Sequence, residues 1–230
     1  MYRILKIGKR LTRRVIWLLD SVLNYLYGIY LTLRFVDEYQ HVPAIVFTSG
    51  QRIALQIRKG VEAKLVIRGR LTIVRWLSGQ PSIISIGENA NLRIEGDFVI
   101  GDGVCIKVLN GGNLLFGGRE KETASGITAN CVILVNQSVK IGKDALIAWD
   151  TVITDSDWHE IEGQSNSQNI VIGDHVWIAT GAKVFKGVQI GGHSIVAAGA
   201  VVTRGTYPEQ SLLAGVPAKV IKENMPEWHR

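Results

Sequence analysis

The apolar positions between Ile172 and Thr206 repeat every six residues. Large aliphatics stand at Ile172, Ile178, Val184, Ile190, Val196 and Val202, and four positions after each comes a small or β-branched residue: Val176, Ala182, Val188, Ser194, Ala200 and Thr206. Glycine or alanine follows the aliphatic at Gly173, Ala179, Gly191 and Ala197. A period of six matches neither the 3.6 of a helix nor the 2 of a simple strand. It matches a coil of short flat strands joined by turns, with three hexads to a triangular turn of about 18 residues. The aliphatic points into a narrow prism that takes one large side chain per face, and the small residue is expected to turn the corner. Successive turns stack as parallel strands, each rung held by its neighbours.

The same pattern runs upstream through Ile141, Ile147 and Ile153, with Ala145 and Thr151 at the small positions, and in weaker form from Ile86 and Leu92, with Ala90 and Gly96. Ile153 and Ile172 are too far apart for one hexad, so residues from about Asp155 to Asn169 leave the coil. A second polar interruption falls at 117–125, and residues 51–80 are expected to form early, irregular rungs. Residues 1 to about 40 lack the period and predict helix: basic turns, then an apolar and aromatic run from Val15 to Leu33 interrupted by Asp20, Ser21, Asn24 and, just after it, Arg34. The expected organisation is therefore an N-terminal basic and apolar helical segment over 1–50, a β-helix domain over 51–222 with a loop at 154–170, and a tail over 223–230.

Composition sharpens this in three ways. Apolar residues make up 47% of the chain, which allows a packed core and excludes wholesale disorder. The 25 glycines are spread evenly, as many tight turns require. The two cysteines, Cys105 and Cys131, form neither a disulfide framework nor a zinc motif, and read as small apolar residues in a reducing compartment. No cleavable signal peptide is expected. The net charge of +6 is uneven: Arg3, Lys6, Lys9, Arg10, Arg13 and Arg14 open the chain with no acid among them. Aromatic and aliphatic residues dominate after residue 14, which argues against nucleic acid. Two readings of the segment stay open. One is a helical cap packed on the coil or on neighbouring subunits; the other is a peripheral membrane contact through residues 1–36, at the inner face of the membrane. Asp20 and Asn24 near the centre of the apolar run argue against a simple crossing.

A periodic scaffold tends to carry function where the period breaks. The break reads Thr154-Asp155-Ser156-Asp157-Trp158-His159-Glu160-Ile161, one histidine with two carboxylates close by. With the hexads, and with the stretch Leu213-Ala214-Gly215-Val216-Pro217-Ala218-Lys219-Val220-Ile221-Lys222 after the last of them, the sequence resembles the hexapeptide-repeat acyltransferases over roughly residues 80–222. The resemblance implies an all-β fold, a left-handed parallel β-helix with an N-terminal helical appendage and a short C-terminal extension. The left hand comes from the resemblance, because crossover rules favour the right.

Within that family the sequence resembles the sugar and polysaccharide O-acetyltransferases, which carry their catalytic histidine in a loop after the hexad matching Ile147–Val152, often close behind acidic residues. By that resemblance His159 is the general base that removes the proton of a sugar hydroxyl as it attacks a thioester. Asp155 or Asp157 would fix its tautomer. Trp158 would border the acceptor, and Asn130 would bind it. Acetyl-CoA is the implied co-substrate, with no resident metal. Its arm would run along small residues between two subunits of a homotrimer: Ala179, Thr180, Ala197, Ala198 and Gly199, with Trp177 as a wall and the Thr180 N–H as oxyanion donor. Thr203, Arg204, Lys219 and Lys222 are candidates for its phosphates. The expected activity is cytoplasmic O-acetylation of a sugar or lipid-linked glycan, by direct transfer. The alternatives are an N-acyltransferase on an amino sugar, a non-catalytic β-helix scaffold, and a zinc hydratase using His159, His175 and His193, although the close histidine pairs of that last group are missing. His175 and His193, one coil apart, are expected to stack on an exposed outer edge.

Overall fold

The computed structural model describes residues 2–48, 55–120 and 125–229, with residues 2–14 described as backbone alone. One helix, Tyr2–Phe35, precedes a coil whose strands visit three faces in turn. Among the described residues the first face has eight strands, from Glu38–Tyr39 to Gly205–Tyr207. The second has nine, from Ile45–Phe47 to Ala218–Lys222, and the third has seven, from Leu55–Lys59 to Val201–Val202. Among the described residues the strands of successive coils pair in parallel, and the final strand, Ala218–Lys222, turns back antiparallel on Leu212–Gly215. This is the left-handed parallel β-helix that the resemblance implies.

The hexad works because alternate residues of each short strand face inward. In Ile170–Ile172 and Val188–Ile190 the outer two side chains are buried and the middle one is exposed. Ile147, Ile153, Ile172, Ile178, Val184, Val196 and Val202 are all buried in one continuous core. The small residues are buried with them: Ala182, Val188, Ser194 and Ala200 are at most 1% exposed. They therefore do not turn the corner, as expected from spacing. The residue before each one does, in the left-handed region of φ: His175, Gly181, Gly187, His193 and Gly199, and upstream Asn89, Asn130, Asp144 and Asp150. The small side chain fills the inside of the bend that its predecessor makes.

The coil also starts earlier than expected. Glu38–Tyr39 pairs with Val66–Ile67 and Ile45–Phe47 with Leu71–Ile73, so the helical appendage ends at Phe35 and the first rungs belong to the prism. Residues 49–54, at the junction of the expected N-terminal segment and irregular rungs, and 121–124, within the polar interruption, lie outside the described residues. The early coils are harder to see because they are long: Lys64 pairs with Asn91, 27 residues on, whereas Val171 pairs with Gln189, 18 residues on. The extra residues leave as loops at corners, notably 74–81 and 155–169.

The second face is covered at both ends of the prism, which shields its strand edges. At one end Thr32 Oγ1 accepts the N–H groups of Ala44 (3.0 Å) and Ile45 (3.2 Å) while donating to the Gly28 carbonyl at 2.8 Å. A Cβ at Gly28 would stand 2.4 Å from the Ile45 carbonyl oxygen, so only glycine lets the helix lie this close. At the other end Ala218 and Val220 pack on the core.

Inside, Phe98 and Phe116 pack at a tilt of 33° with centroids 4.5 Å apart and no exposure above 1%. Phe116→Ala should cost about 3–5 kcal/mol by chemical unfolding. The neighbouring Leu115→Ala, on an outward, half-buried position, should cost about 1 kcal/mol or less.

Candidate active site

The loop that breaks the hexads is anchored at its root by Asp155. This carboxylate is fully buried and accepts the N–H groups of Asn136 (2.7 Å), Gln137 (2.8 Å) and Ser138 (2.7 Å) from the coil below. The two arms of the loop then zip together: Gln168 N–H donates to the Asp155 carbonyl at 3.0 Å, Asp157 N–H to the Asn166 carbonyl at 2.8 Å, and Ser156 bridges Ser167. Asp157 forms an ion pair with Lys186, whose Nζ also donates to the Ser165 carbonyl at 2.6 Å. Trp158 adopts a φ of 65°, a left-handed conformation uncommon for so bulky a residue, and its Nε1 donates to Thr154 Oγ1 at 3.2 Å. The sharp bend leaves His159 exposed on the outgoing arm, just before the loop closes at the Ile161–Gln164 turn.

The imidazole of His159 takes part in no hydrogen bond or ion pair among the described residues. Neither expected carboxylate joins it. Asp155 is committed to three backbone N–H groups and Asp157 to Lys186, so their work in this chain is to hold the loop. The loop is thus held at its root and carries an unengaged imidazole on its outgoing arm.

A groove of about 470 Å³ opens on the outer side of the second face. It is lined by Trp76, Thr128, Leu146, Ala148, Trp149, Trp177 and Thr180. Trp177 and Thr180 were expected there. Trp76 and Trp149, both about 40% exposed, were not. A signal for Trp149 exists: it lies at the corner one coil below Thr180, where Gly181 N–H donates to the Trp149 carbonyl at 2.8 Å.

Beside the groove the corner residues form a column. Asn130, Asp150, Gly181 and Gly199 all have positive φ. The N–H groups of Trp149, Thr180 and Ala198 make no hydrogen bond among the described residues and remain available to a ligand. Ala198 and Gly199 are exposed and Ala197 half-buried, whereas Ala179 is buried and offers little surface. Lys219 pairs with Ala214, on the strand next to Ile195–Val196, and so extends the column. Lys222 pairs with Leu212 at the opposite end of that strand, and Thr203 and Arg204 sit past the third face, so those three lie apart from it. His159 also leaves the prism past the third face, at a different corner from the column.

His175 and His193 do stack on one edge, with centroids 5.3 Å apart, but that edge is not open. The tail folds over it. Trp228 lies flat on His175 at 4.2 Å, its Nε1 donates to the His175 carbonyl at 3.0 Å, and the His175 Nε2 meets the Trp228 carbonyl at 3.0 Å. Trp228 also reaches Trp177 at 6.0 Å, so the tail backs the groove wall. The side chain that joins the two histidines is Glu227, with ligand atoms within 4.8 Å of one another; His159 is not part of the group. Cys131 is buried under the Ala148 corner, and burial above all pushes its thiol up to about 11, which suits packing and not nucleophilic attack.

No protein-family model matches the chain, and no curated protein does. Among solved structures, the polysialic acid-specific acetyltransferase NeuO is 22% identical, with 84% of this chain and 90% of that chain covered and a TM-score of 0.48. The polysialic acid O-acetyltransferase OatWY is 22% identical over the same shares, with a TM-score of 0.41. A hexapeptide-repeat acetyltransferase from Vibrio cholerae O1 biovar eltor, solved with acetyl coenzyme A, is 24% identical over 61% of this chain and 71% of that chain, with a TM-score of 0.39.

Trp76 is carried by the loop 74–81, and Asp102 holds that loop. Its carboxylate accepts the N–H groups of Trp76 (3.0 Å), Leu77 and Gly79 and the hydroxyl of Ser78. Burial opposes its ionisation, but the backbone N–H groups of Trp76, Leu77 and Gly79 outweigh it and hold the carboxyl at about 2. A folded value below the unfolded one stabilises the fold above about pH 4, and that contribution, on the order of 2 kcal/mol, is lost as pH falls toward 2. Asp102→Asn should therefore lower the melting temperature at neutral pH and flatten its decline between pH 4 and 2. Thermal unfolding against pH checks both.

Proposed function

We propose that the chain is an acetyl-CoA-dependent O-acetyltransferase acting on a sugar or lipid-linked glycan hydroxyl at the cytoplasmic side, with His159 as general base. The observation that carries this reading is the imidazole itself. It stands exposed and unengaged on the outgoing arm of a loop whose base is locked by Asp155, in the one stretch where the C-terminal hexads break.

In this reading the acceptor hydroxyl attacks the thioester carbonyl of acetyl-CoA. The new C–O bond forms as its proton passes to His159, the C–S bond breaks, and the coenzyme thiolate takes the proton back. The oxyanion in between is stabilised by a backbone N–H, for which the unpaired Thr180 N–H is suited. The column of Thr180, Ala198 and Gly199 is narrow enough for the pantetheine arm to lie against the backbone, and Lys219 at its end suits a phosphate. The tryptophan-lined groove accepts the acceptor ring, with Asn130 and Trp158 as further contacts. Direct transfer agrees with the protonated, buried state of Cys131.

Within one chain His159 and the column leave the prism at different corners, on either side of the third face. The proposed site therefore takes His159 from one subunit and the Thr180 column from the next, in a homotrimer. An isolated chain would lack half of it.

His159→Ala should reduce kcat by about 10²–10⁴ while leaving acetyl-CoA binding by calorimetry unchanged. Wild-type turnover in that variant would remove His159 from the reaction. Co-assembling His159→Ala chains with Thr180→Pro chains, which lack the N–H, should restore activity if the site is shared; no restoration would place both halves in one subunit. Assays with hydroxyl and amine acceptors, with the product tested for an alkali-labile ester, separate O- from N-transfer.

A further inference from the structure

The N-terminal helix is amphipathic with its sides reversed. The residues turned toward the coil are mostly small or polar: Asp20, Ser21, Asn24, Gly28 and Thr32, with Ile29, Leu31 and Phe35. Asn24 Nδ2 donates to the Thr48 carbonyl and Thr32 joins the first rung. The residues turned away are large and apolar. Leu19, Val22, Leu23, Leu26, Tyr30 and Leu33 are 53–62% exposed. A helix that merely capped the prism would show the opposite arrangement, with its apolar stripe against the core.

We propose that this helix seats the protein on an anionic lipid bilayer, its outward side sunk to the acyl boundary and its basic start among the headgroup phosphates. Three observations favour lipid over a second copy of the chain. Val15 to Leu19 are all 49–59% exposed, and five consecutive residues circle a helix completely, so a neighbouring helix would cover only one side of them. Six cations with no acid precede this stretch and recur every three to four residues, with Ile4, Ile7 and Leu11 between them. Such a run complements phosphate and repels its own copy. Trp17, Tyr25 and Tyr30 supply the aromatic groups that prefer a membrane–water boundary.

The stretch Val15–Phe35, with mean hydropathy 1.3, has the length to cross a bilayer. It does not do so here, because residues 20–35 lie along the coil. Asp20 and Asn24, which argue against lipid when read in sequence, face that coil and leave the outer side free of charge from Val15 to Leu33. The proposal stands whether or not the chain transfers acetyl groups.

The test uses the full chain with extruded phosphatidylcholine vesicles, with and without phosphatidylglycerol, read by co-sedimentation. Wild-type protein should bind the anionic vesicles and be released by salt. Leu19→Glu/Leu23→Glu/Leu26→Glu alters only outward positions, so its melting temperature should match wild type while its binding falls roughly tenfold or more. Arg3→Gln/Lys6→Gln/Arg10→Gln should lose the preference for phosphatidylglycerol. Failure of the wild type to bind, or unchanged binding by the glutamate variant, overturns the proposal. If that variant binds vesicles normally but loses its oligomeric state by light scattering, the surface belongs to a second copy.

Discussion

Each corner of the prism has to reverse the backbone within about one residue and still deliver it to hydrogen-bond distance of the corner above. That requirement governs the rest of the molecule. It selects a left-handed φ at one position per corner, met by glycine or by Asn, Asp and His, whose short polar side chains tolerate it best. It forces a small side chain next in line, because that one points into the bend. At Gly101, two residues before the left-handed Gly103, the next coil comes so close that no side chain fits, since a Cβ would sit 1.4 Å from the Thr128 carbonyl oxygen. It also leaves outward N–H groups unpaired along one edge, at Trp149, Thr180 and Ala198, so the scaffold itself generates a line of donors.

The period exposed this architecture in the sequence only where nothing was inserted. From Ile172 to Val202 the hexads are uninterrupted and their inward positions are all as read. Before Ile141 the coils carry extra residues at their corners, and a six-residue count loses register even though the strands pair as regularly as later ones. The misassigned corner has a related cause. Spacing identifies which residues are small, but not which of two adjacent residues bends, and the side chain facing inward is also the one that size constrains.

The candidate site was legible to the extent that it interrupts a rule. The Asp155–His159 loop stands out because the register fails there. The partner assigned to His159 did not follow, because a carboxylate close in sequence is equally able to bind its own loop, and Asp155 and Asp157 both do. Trp76 and Trp149 were missed because stacking brings them to Trp177 from distant stretches. His175 was expected on open surface because the residues that bury it, Glu227 and Trp228, lie in a tail with no period to read.

Stacked rungs are also a ruler. On the second face the helix rests at the strand Ile45–Phe47, and the strands under the tryptophan groove are the third to fifth beyond it. At about 4.8 Å per rung the groove stands roughly 14–24 Å along the axis from the helix. That height is quantised. Inserting or deleting one coil would shift it by a single rung while leaving groove and helix chemically intact, so the distance between anchorage and reaction is a dimension this fold can adjust in steps.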